Sequence, residues 1–397
     1  MSDGNDLQVA ESDPVVVPGG IVERFYLPSN AKEVAEVVAG AADRGERLLI
    51  AGGRTRLHWA NPIREGLSGI SLRGLSGVDE FEPEEGVLHA AAGTPIREIQ
   101  EAARTEGWEL ALDPPGATST LGGTIATAAM GPRSQSFGRV ADAVLGLDVV
   151  GGDGLRSKCG GRVVKNVTGY DLAKLYCGSF GSLAVLCGAW LRLRPLSPVR
   201  EAFVVRTGLA ANAFEKCRSI GQRTSVRTLV WSERPNDGTP ELVIELAGPR
   251  EGVEHDRHAI EQSMDIEAIS TEQVDAVRDA RADVGSDSIV LRSHVLGSEC
   301  QKMTRVILDA GLRVSVDLGL GMIHARGSLD QPDQLLAIRQ QSGLSGGLTA
   351  IENLPDPWRQ DFDVFDDQGD GVALAAVLKN RFDPSGLFNP GRFAGRV

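Results

Sequence analysis

The chain has 397 residues, 42% hydrophobic and 24% charged, with 41 basic against 54 acidic side chains. That length predicts about two domains, and the balance excludes wholesale disorder. A net charge of −13 offers no complementary face to nucleic acid or to an anionic lipid surface.

In chain order, residues 1–17 read as a tail. Met1 to Ser12 is polar and acidic, without the basic start and apolar run of a secretory signal. No stretch of about 18 apolar residues predicts a membrane span. The spacing of Val34, Val37 and Val38 predicts a helix from Ser29 to Arg44, with Ser29 or Asn30 as cap. Arg47 to Ala51 is a short apolar strand running into Gly52-Gly53. Val87 to Ala92 is another strand, followed by a helix through about Glu106 with Thr94 as cap and Pro95 in its first turn. Strands follow at Val144–Val150 and Leu183–Leu193, and Pro195 and Pro198 mark a boundary. From 199 to 372 the predicted strands are 202–206, 227–232, 241–247, 288–293, 313–317 and 322–326. They alternate with charged helices near 210–222, 250–263, 271–283 and 331–341. This is an α+β layer, an antiparallel sheet with helices on one side. A short helix from Val372 to Lys379 leads into Phe382-Asp383-Pro384.

The five cysteines are dispersed and odd in number, with no C-x-x-C pair. They predict reduced thiols in the cytoplasm rather than a disulfide framework, a zinc site or an iron–sulfur cluster. His255 and His258 lie three apart on a charged helix, where a solvated face is the default reading. The segment 355–371 holds six Asp against Arg359 alone, an acidic loop without a complete calcium-loop signature. No metal is expected.

Glycine is the unusual residue. The 48 glycines are about 12% of the chain, against a usual value of about 7%, and 15 of them fall in residues 116–188. Clustered glycines imply a backbone that comes close to something. Four elements carry them. Ala51-Gly-Gly-Arg-Thr-Arg56 follows a strand, and its successive N–H groups suit phosphate oxygens, although a Gly-Gly turn there is also common. The others are Asp113-Pro-Pro-Gly-Ala-Thr-Ser-Thr-Leu-Gly-Gly-Thr124, Gly131-Pro-Arg-Ser-Gln-Ser-Phe-Gly138, and Lys165-Asn-Val-Thr-Gly-Tyr-Asp171 with Gly178-Ser-Phe-Gly-Ser-Leu-Ala-Val185. Neither a Walker A loop nor a Rossmann fingerprint is present. Together the four elements imply a large ligand with a phosphate portion and a flat apolar portion.

With these pieces, plus Asp142-x-Val-Leu-Gly146 and the tail Phe382-Asp-Pro-Ser-Gly-Leu-Phe-Asn-Pro-Gly391, the chain resembles the FAD-linked oxidase superfamily. Its FAD-binding domain is of the PCMH or vanillyl-alcohol-oxidase type. Within that superfamily it most resembles the FAD-binding subunit of glycolate oxidase, the GlcE type. The resemblance implies an α+β fold of a two-part PCMH-type domain over 18–198, an α+β cap or substrate-type domain over 199–372, and a segment 373–397 packing back on the FAD domain. It implies non-covalent FAD, since Thr55 stands where covalent members carry His. The implied cofactor-binding residues are Gly52, Gly53, Arg54, Thr55, Arg56, Pro115, Gly116, Thr118, Leu121, Gly122, Gly123, Thr124, Gly131, Arg133 and Gly138. Asp142, Lys165, Asn166, Tyr170, Gly178, Gly181, Val185 and Asn389 complete the set. Arg54 replaces a third glycine common in that loop.

The catalytic half departs from the resemblance. Relatives that oxidise 2-hydroxy acids carry a metal-linked His-x-Gly-Asp-Gly-Asn-x-His run, and the equivalent here is Asp317-Leu-Gly-Leu-Gly-Met-Ile-His324. Leu320 and Met322 supply neither a base nor a carboxylate clamp. Arg292, His294 and His324 remain as weak candidates. The resemblance therefore implies an accessory, electron-transferring FAD subunit of a glycolate oxidase-like complex acting on a small 2-hydroxy acid. A second flavin oxidase subunit and an iron–sulfur subunit would be its partners, and any membrane association would come through them. The alternatives are a stand-alone D-2-hydroxyacid dehydrogenase using Arg292 and His324, and a degenerate flavoprotein scaffold.

Overall fold

The computed structural model describes residues 9–10, 14–63, 66–162, 170–206, 213–233, 239–285, 288–366 and 369–397. The fold is α+β. Its internal contacts divide it into two compact units, one of residues 1–129, 139–195 and 359–397, the other of 130–138 and 196–358. Within the stretch read as a tail, Val9–Ala10 and Val15–Val17 are strands.

The first unit holds two main sheets. In the smaller, Arg47–Ala51 pairs in parallel with Leu67–Ser71, which pairs in parallel with Phe25–Tyr26. Val9–Ala10 closes the order on the far side, antiparallel. Parallel neighbours need a crossover, and the helix Ala31–Asp43 lies between Phe25–Tyr26 and Arg47–Ala51 in the chain. Asn30 caps that helix, its Oδ1 accepting from the amides of Lys32 and Glu33 at 3.0 Å each, an arrangement worth about 1 kcal/mol. Val34, Val37, Val38 and Ala41 form its buried stripe. The second sheet is antiparallel, in the order Arg156–Gly160, Val144–Val150, Val185–Pro195, Val87–Ala91, Val78–Glu82, with Trp108–Leu110 also paired to Val185–Pro195. The segment 387–389 returns to the first sheet. The Leu48 amide donates to the Leu387 carbonyl at 2.8 Å, and the Asn389 amide to the Leu48 carbonyl at 2.9 Å.

The second unit is one eight-stranded antiparallel sheet, in the order Glu267–Ile269, Val199–Arg206, Pro240–Gly248, Val226–Glu233, Arg313–Asp317, Met322–Gly327, Ile289–His294, Leu348–Asn353. Helices stand on both of its faces, not on one alone. Side chains alternate along a strand. Trp231 meets Phe214 of the helix Ala213–Gly221, while its neighbour Val230 packs with Ala202, Val243 and Val274 of the helix Thr271–Asp279. No helix among the described residues is long and apolar enough to cross a membrane.

Of the acidic segment, Asp363 serves the backbone. Its carboxylate accepts from the Asn61 side chain, the Phe365 amide and the Gly395 amide at 2.7–2.9 Å.

Candidate functional site

In the first unit, an open cavity of about 750 Å³ begins where strand Arg47–Ala51 ends. Glycine is required at that end. A Cβ on Gly53 would stand 2.1 Å from the Thr118 carbonyl oxygen, and one on Gly52 would stand 2.3 Å from the Thr120 hydroxyl. The Gly53 amide donates to that same hydroxyl at 3.3 Å. Arg54 adopts φ 60°, the left-handed conformation a third glycine would favour, with its guanidinium 4.5 Å from the Phe25 ring centre. The turn is thus retained although the glycine is not.

Arg56 lies behind this loop, 6% exposed. It donates to the Pro115 carbonyl and the Ser119 hydroxyl at 2.8 Å each, and to the Thr124 hydroxyl at 3.2 Å. Pro115 and Thr124, expected to touch the cofactor, are joined to the cavity through this guanidinium. Gly122 packs its backbone on the neighbouring strand end, its amide donating to the Ala92 carbonyl at 2.7 Å.

The far wall comes from 180–186 and from the returning segment. The Asn389 side chain accepts from the Ile50 amide at 2.9 Å and donates to the Phe180 carbonyl at 2.7 Å. Arg392, which the sequence reading missed, is 3% exposed and lines the cavity. One of its terminal nitrogens donates to the Leu57 carbonyl; the other, Nη1, is buried without a hydrogen-bond partner. Burial, followed by the charge of Arg359, pushes its pKa down to about 10. The charged residues lining the cavity are Arg54, Arg56 and Arg392, with no Asp or Glu among them. Of the five non-glycine residues at positive φ among those described, Arg54, Phe180 and Asn389 line this cavity. Such conformations cost about 1–3 kcal/mol each and gather where a ligand is clamped.

The structure therefore brings together Gly52, Gly53, Arg54, Thr55, Arg56, Gly122, Gly123, Gly181 and Asn389. It places others elsewhere. Gly131, Arg133 and Gly138 belong to the second unit. There the fully buried Glu245 carboxylate takes the Arg133 guanidinium at 2.7 Å, and Asp275 takes it at 2.6 Å. Asp142 pairs with Arg139 at 3.3 Å, and Tyr170 is 94% exposed. Gly116, Thr118, Leu121, Gly178 and Val185 are not among the lining residues, Thr118 being the backbone against which Gly53 rests. Lys165 and Asn166 lie outside the described residues.

A second cavity, of about 710 Å³, lies in the second unit and is lined by His324, Arg281 and Ser315 among others. Asp317 is 2% exposed and holds Arg281 through two bonds of 2.7 Å. Burial alone would raise the Asp317 pKa, but Arg281 and His324 hold it down to about 2. The His324 Nε2 lies 3.5 Å from Asp317, and burial and then the Arg281 charge lower the pKa of its imidazole. Arg292 is on the neighbouring strand, opposite His324, with its Nε donating to Glu352 at 2.8 Å. Arg281, Arg313 and Arg326, not Arg292, thus share the cavity with His324. His294 donates its Nε2 proton to the Leu320 carbonyl at 2.9 Å. The buried thiols are unreactive: burial pushes Cys187 up to about 12, and Cys217 and Cys300 up to about 11.

Residues 22–160 match the family model described as an FAD-binding domain. The chain is 34% identical over 188 residues to D-lactate dehydrogenase of Archaeoglobus fulgidus, covering 47% of this chain and 42% of that one. It is 35% identical over 150 residues to glycolate oxidase subunit GlcE of Escherichia coli, covering 37% and 42%. The matches thus span about two fifths of the length of these relatives. Among solved structures, alkyldihydroxyacetonephosphate synthase superposes with a TM-score of 0.67 at 17% identity, covering 94% of this chain and 76% of that one. That likeness is one of fold.

The first cavity fits the group. An FAD pyrophosphate carries negative charge, and the lining offers three guanidiniums and no acid. A buried Arg392 nitrogen lacks a partner, and glycine faces permit close backbone approach.

Proposed function

Because this chain carries, in residues 22–160, an FAD-binding domain of the FAD-linked oxidase superfamily, with FAD as its cofactor, we propose that it is an FAD-dependent oxidoreductase acting on a small 2-hydroxy acid. It serves as the FAD-binding, electron-transferring subunit of a glycolate oxidase-like complex. The observation that carries this reading is the acid-free, three-arginine, glycine-walled cavity. The similarity to a glycolate oxidase subunit and a D-lactate dehydrogenase supports the substrate class.

Gly52, Gly53, Arg54, Arg56 and Arg392 would hold the cofactor, with Asn389 fixing the wall beside it. Bound FAD supplies two-electron redox chemistry. This chain contributes charge neutralisation, a shielded apolar wall and a backbone held in place before binding. The cofactor is held non-covalently, since Thr55 lacks a nucleophilic ring nitrogen. A second flavin subunit performs the substrate chemistry, and an iron–sulfur subunit accepts the electrons. The absence from the Asp317–His324 run of the residues expected for substrate oxidation supports that division.

Purified protein should be yellow, and acid precipitation should release all of its flavin into the supernatant. A colourless chain that takes up no added FAD would overturn the cofactor role and leave the scaffold reading. Full-rate glycolate oxidation by the isolated chain would overturn the accessory role. One observation favours the stand-alone dehydrogenase as a second reading: His324 lies in a cavity where burial and the Arg281 charge disfavour its protonated form, and a base must be unprotonated. Loss of that isolated activity in His324→Ala would support it, and full retention would dismiss it.

A further inference from the structure

The run Asp317–His324 stands where the resemblance expects a metal-linked motif, and its donor set does not fit a metal. Both oxygens of Asp317 are taken by Arg281 at 2.7 Å. Leu320 and Met322 offer no hard side-chain donor. The ring of the nearby His294 is committed to the Leu320 carbonyl. Among the described residues, no group of three or more His, Cys, Asp or Glu side chains could hold a metal ion.

What stands there instead is a fixed cation. The Arg281 guanidinium is 5% exposed and locked against Asp317, with Nη2 also donating to the Ser315 hydroxyl at 3.1 Å. Its Nε is buried without a hydrogen-bond partner. The His324 Nε2 is also buried, on a side chain that is 10% exposed, and makes only a long 3.5 Å approach to Asp317. Both residues line the same cavity as Ser315. A buried polar nitrogen left without a partner, as the Arg281 Nε is, is costly, and three potential donors around one space suit an anionic oxygen. The same cavity is also lined by Arg313 and Arg326 and by Glu233 and Glu241, two charges of each sign. With Asp317 paired to Arg281, these groups carry no net formal charge, which suits a single carboxylate better than a phosphate dianion.

We propose that this cavity binds a small monocarboxylic acid without a metal, with Arg281 as its fixed cation and Ser315 and His324 completing the donor set. The existence of the site rests on the cavity alone; the choice of a 2-hydroxy acid as its occupant rests on the function proposed above.

Glycolate is the probe, titrated calorimetrically into the flavin-loaded full chain. Binding should be the same with excess EDTA as without. Ser315→Ala and His324→Gln should each weaken it roughly tenfold, the loss of one hydrogen bond to a charged group. Arg281→Lys carries a risk of misfolding because it disturbs a buried ion pair, so Ser315→Ala is the deciding variant, with far-UV circular dichroism confirming its fold. Three results overturn the proposal: no glycolate heat with the parent chain, binding abolished by EDTA and restored by Zn²⁺, or parent-like binding in both variants. Flavin absorbance of the same samples separates this outcome from that of the cofactor: a colourless chain that still binds glycolate refutes the flavin role alone.

Discussion

Gly53→Ala tests the cofactor cavity most directly. The added methyl would stand 2.1 Å from the Thr118 carbonyl oxygen and 3.2 Å from its carbon, both backbone atoms. Reaching an ordinary contact of 3.4 Å requires a shift of about 1.3 Å between the 52–56 loop and the 113–120 segment. No side chain can rotate away to absorb it. Overpacking of this kind costs about 1–3 kcal/mol. The shift also displaces the loop amides from the phosphate, and each charge-assisted hydrogen bond lost costs about 1.5–3 kcal/mol, or roughly 10–100-fold in FAD affinity. The assay is the ratio of flavin to protein absorbance after gel filtration, with a thermal melt of the same samples. Gly252→Ala is the control. Gly252 lies in the helix Arg250–Glu261, with nothing within 4 Å of the added methyl, and should gain about 0.5–1 kcal/mol without touching flavin content. A Gly53→Ala chain that keeps full flavin and an unchanged melt would refute the argument that the backbone must come this close.

Arg54→Gly should be more stable than Arg54→Ala by about 1 kcal/mol in thermal denaturation, because only glycine is relieved of the left-handed φ of 60°. Arg392→Met should lower flavin affinity about tenfold or more while leaving the melt of the flavin-free chain unchanged or higher, since a buried cation that lacks a carboxylate partner is removed. Lys379→Met should destabilise by about 3–5 kcal/mol in denaturant unfolding. It strands the buried Asp383 carboxylate and removes donors to the Ser182 and Phe388 carbonyls. Asp317 has a folded pKa of about 2 against an ordinary 3.8, so the unfolded chain takes up this proton first. Its stabilising contribution is complete above about pH 4 and is lost as pH falls toward 2. Asp317→Asn should flatten that segment of a stability–pH curve measured by urea titration.

The elements with strong local signals were legible in the sequence. Arg47–Ala51 and Arg313–Asp317 are apolar or alternating runs bounded by turn residues, and the helix Ala31–Asp43 announces itself through its cap and valine stripe. The strands Leu67–Ser71 and Leu348–Asn353 were not foreseen; their short mixed sequences become strands through the neighbours that flank them. Gly52, Gly53 and Asn389 were readable because a motif names them. Arg133 was assigned to the cofactor on its Gly-Pro-Arg signature, but its partner Glu245 lies 112 residues away and no local pattern reveals it. Arg392 and Arg281 were missed for the reverse reason. Each looks like any surface arginine until tertiary burial takes away its water and leaves a nitrogen without a partner.

The strip around Leu387 to Arg392 forms part of the cavity wall, stitched to Leu48 and Ile50 more than three hundred residues earlier in the sequence. A chain leaving the ribosome exposes the glycine loop early, yet Asn389 and Arg392 emerge more than three hundred residues later. The pocket is therefore completed only once this strip has been made, and flavin capture has to follow it. A nascent chain stalled just before this strip would lack this wall and be colourless. Free FAD would then discriminate molecules that carry this strip from those that lack it, stabilising only the former by mass action.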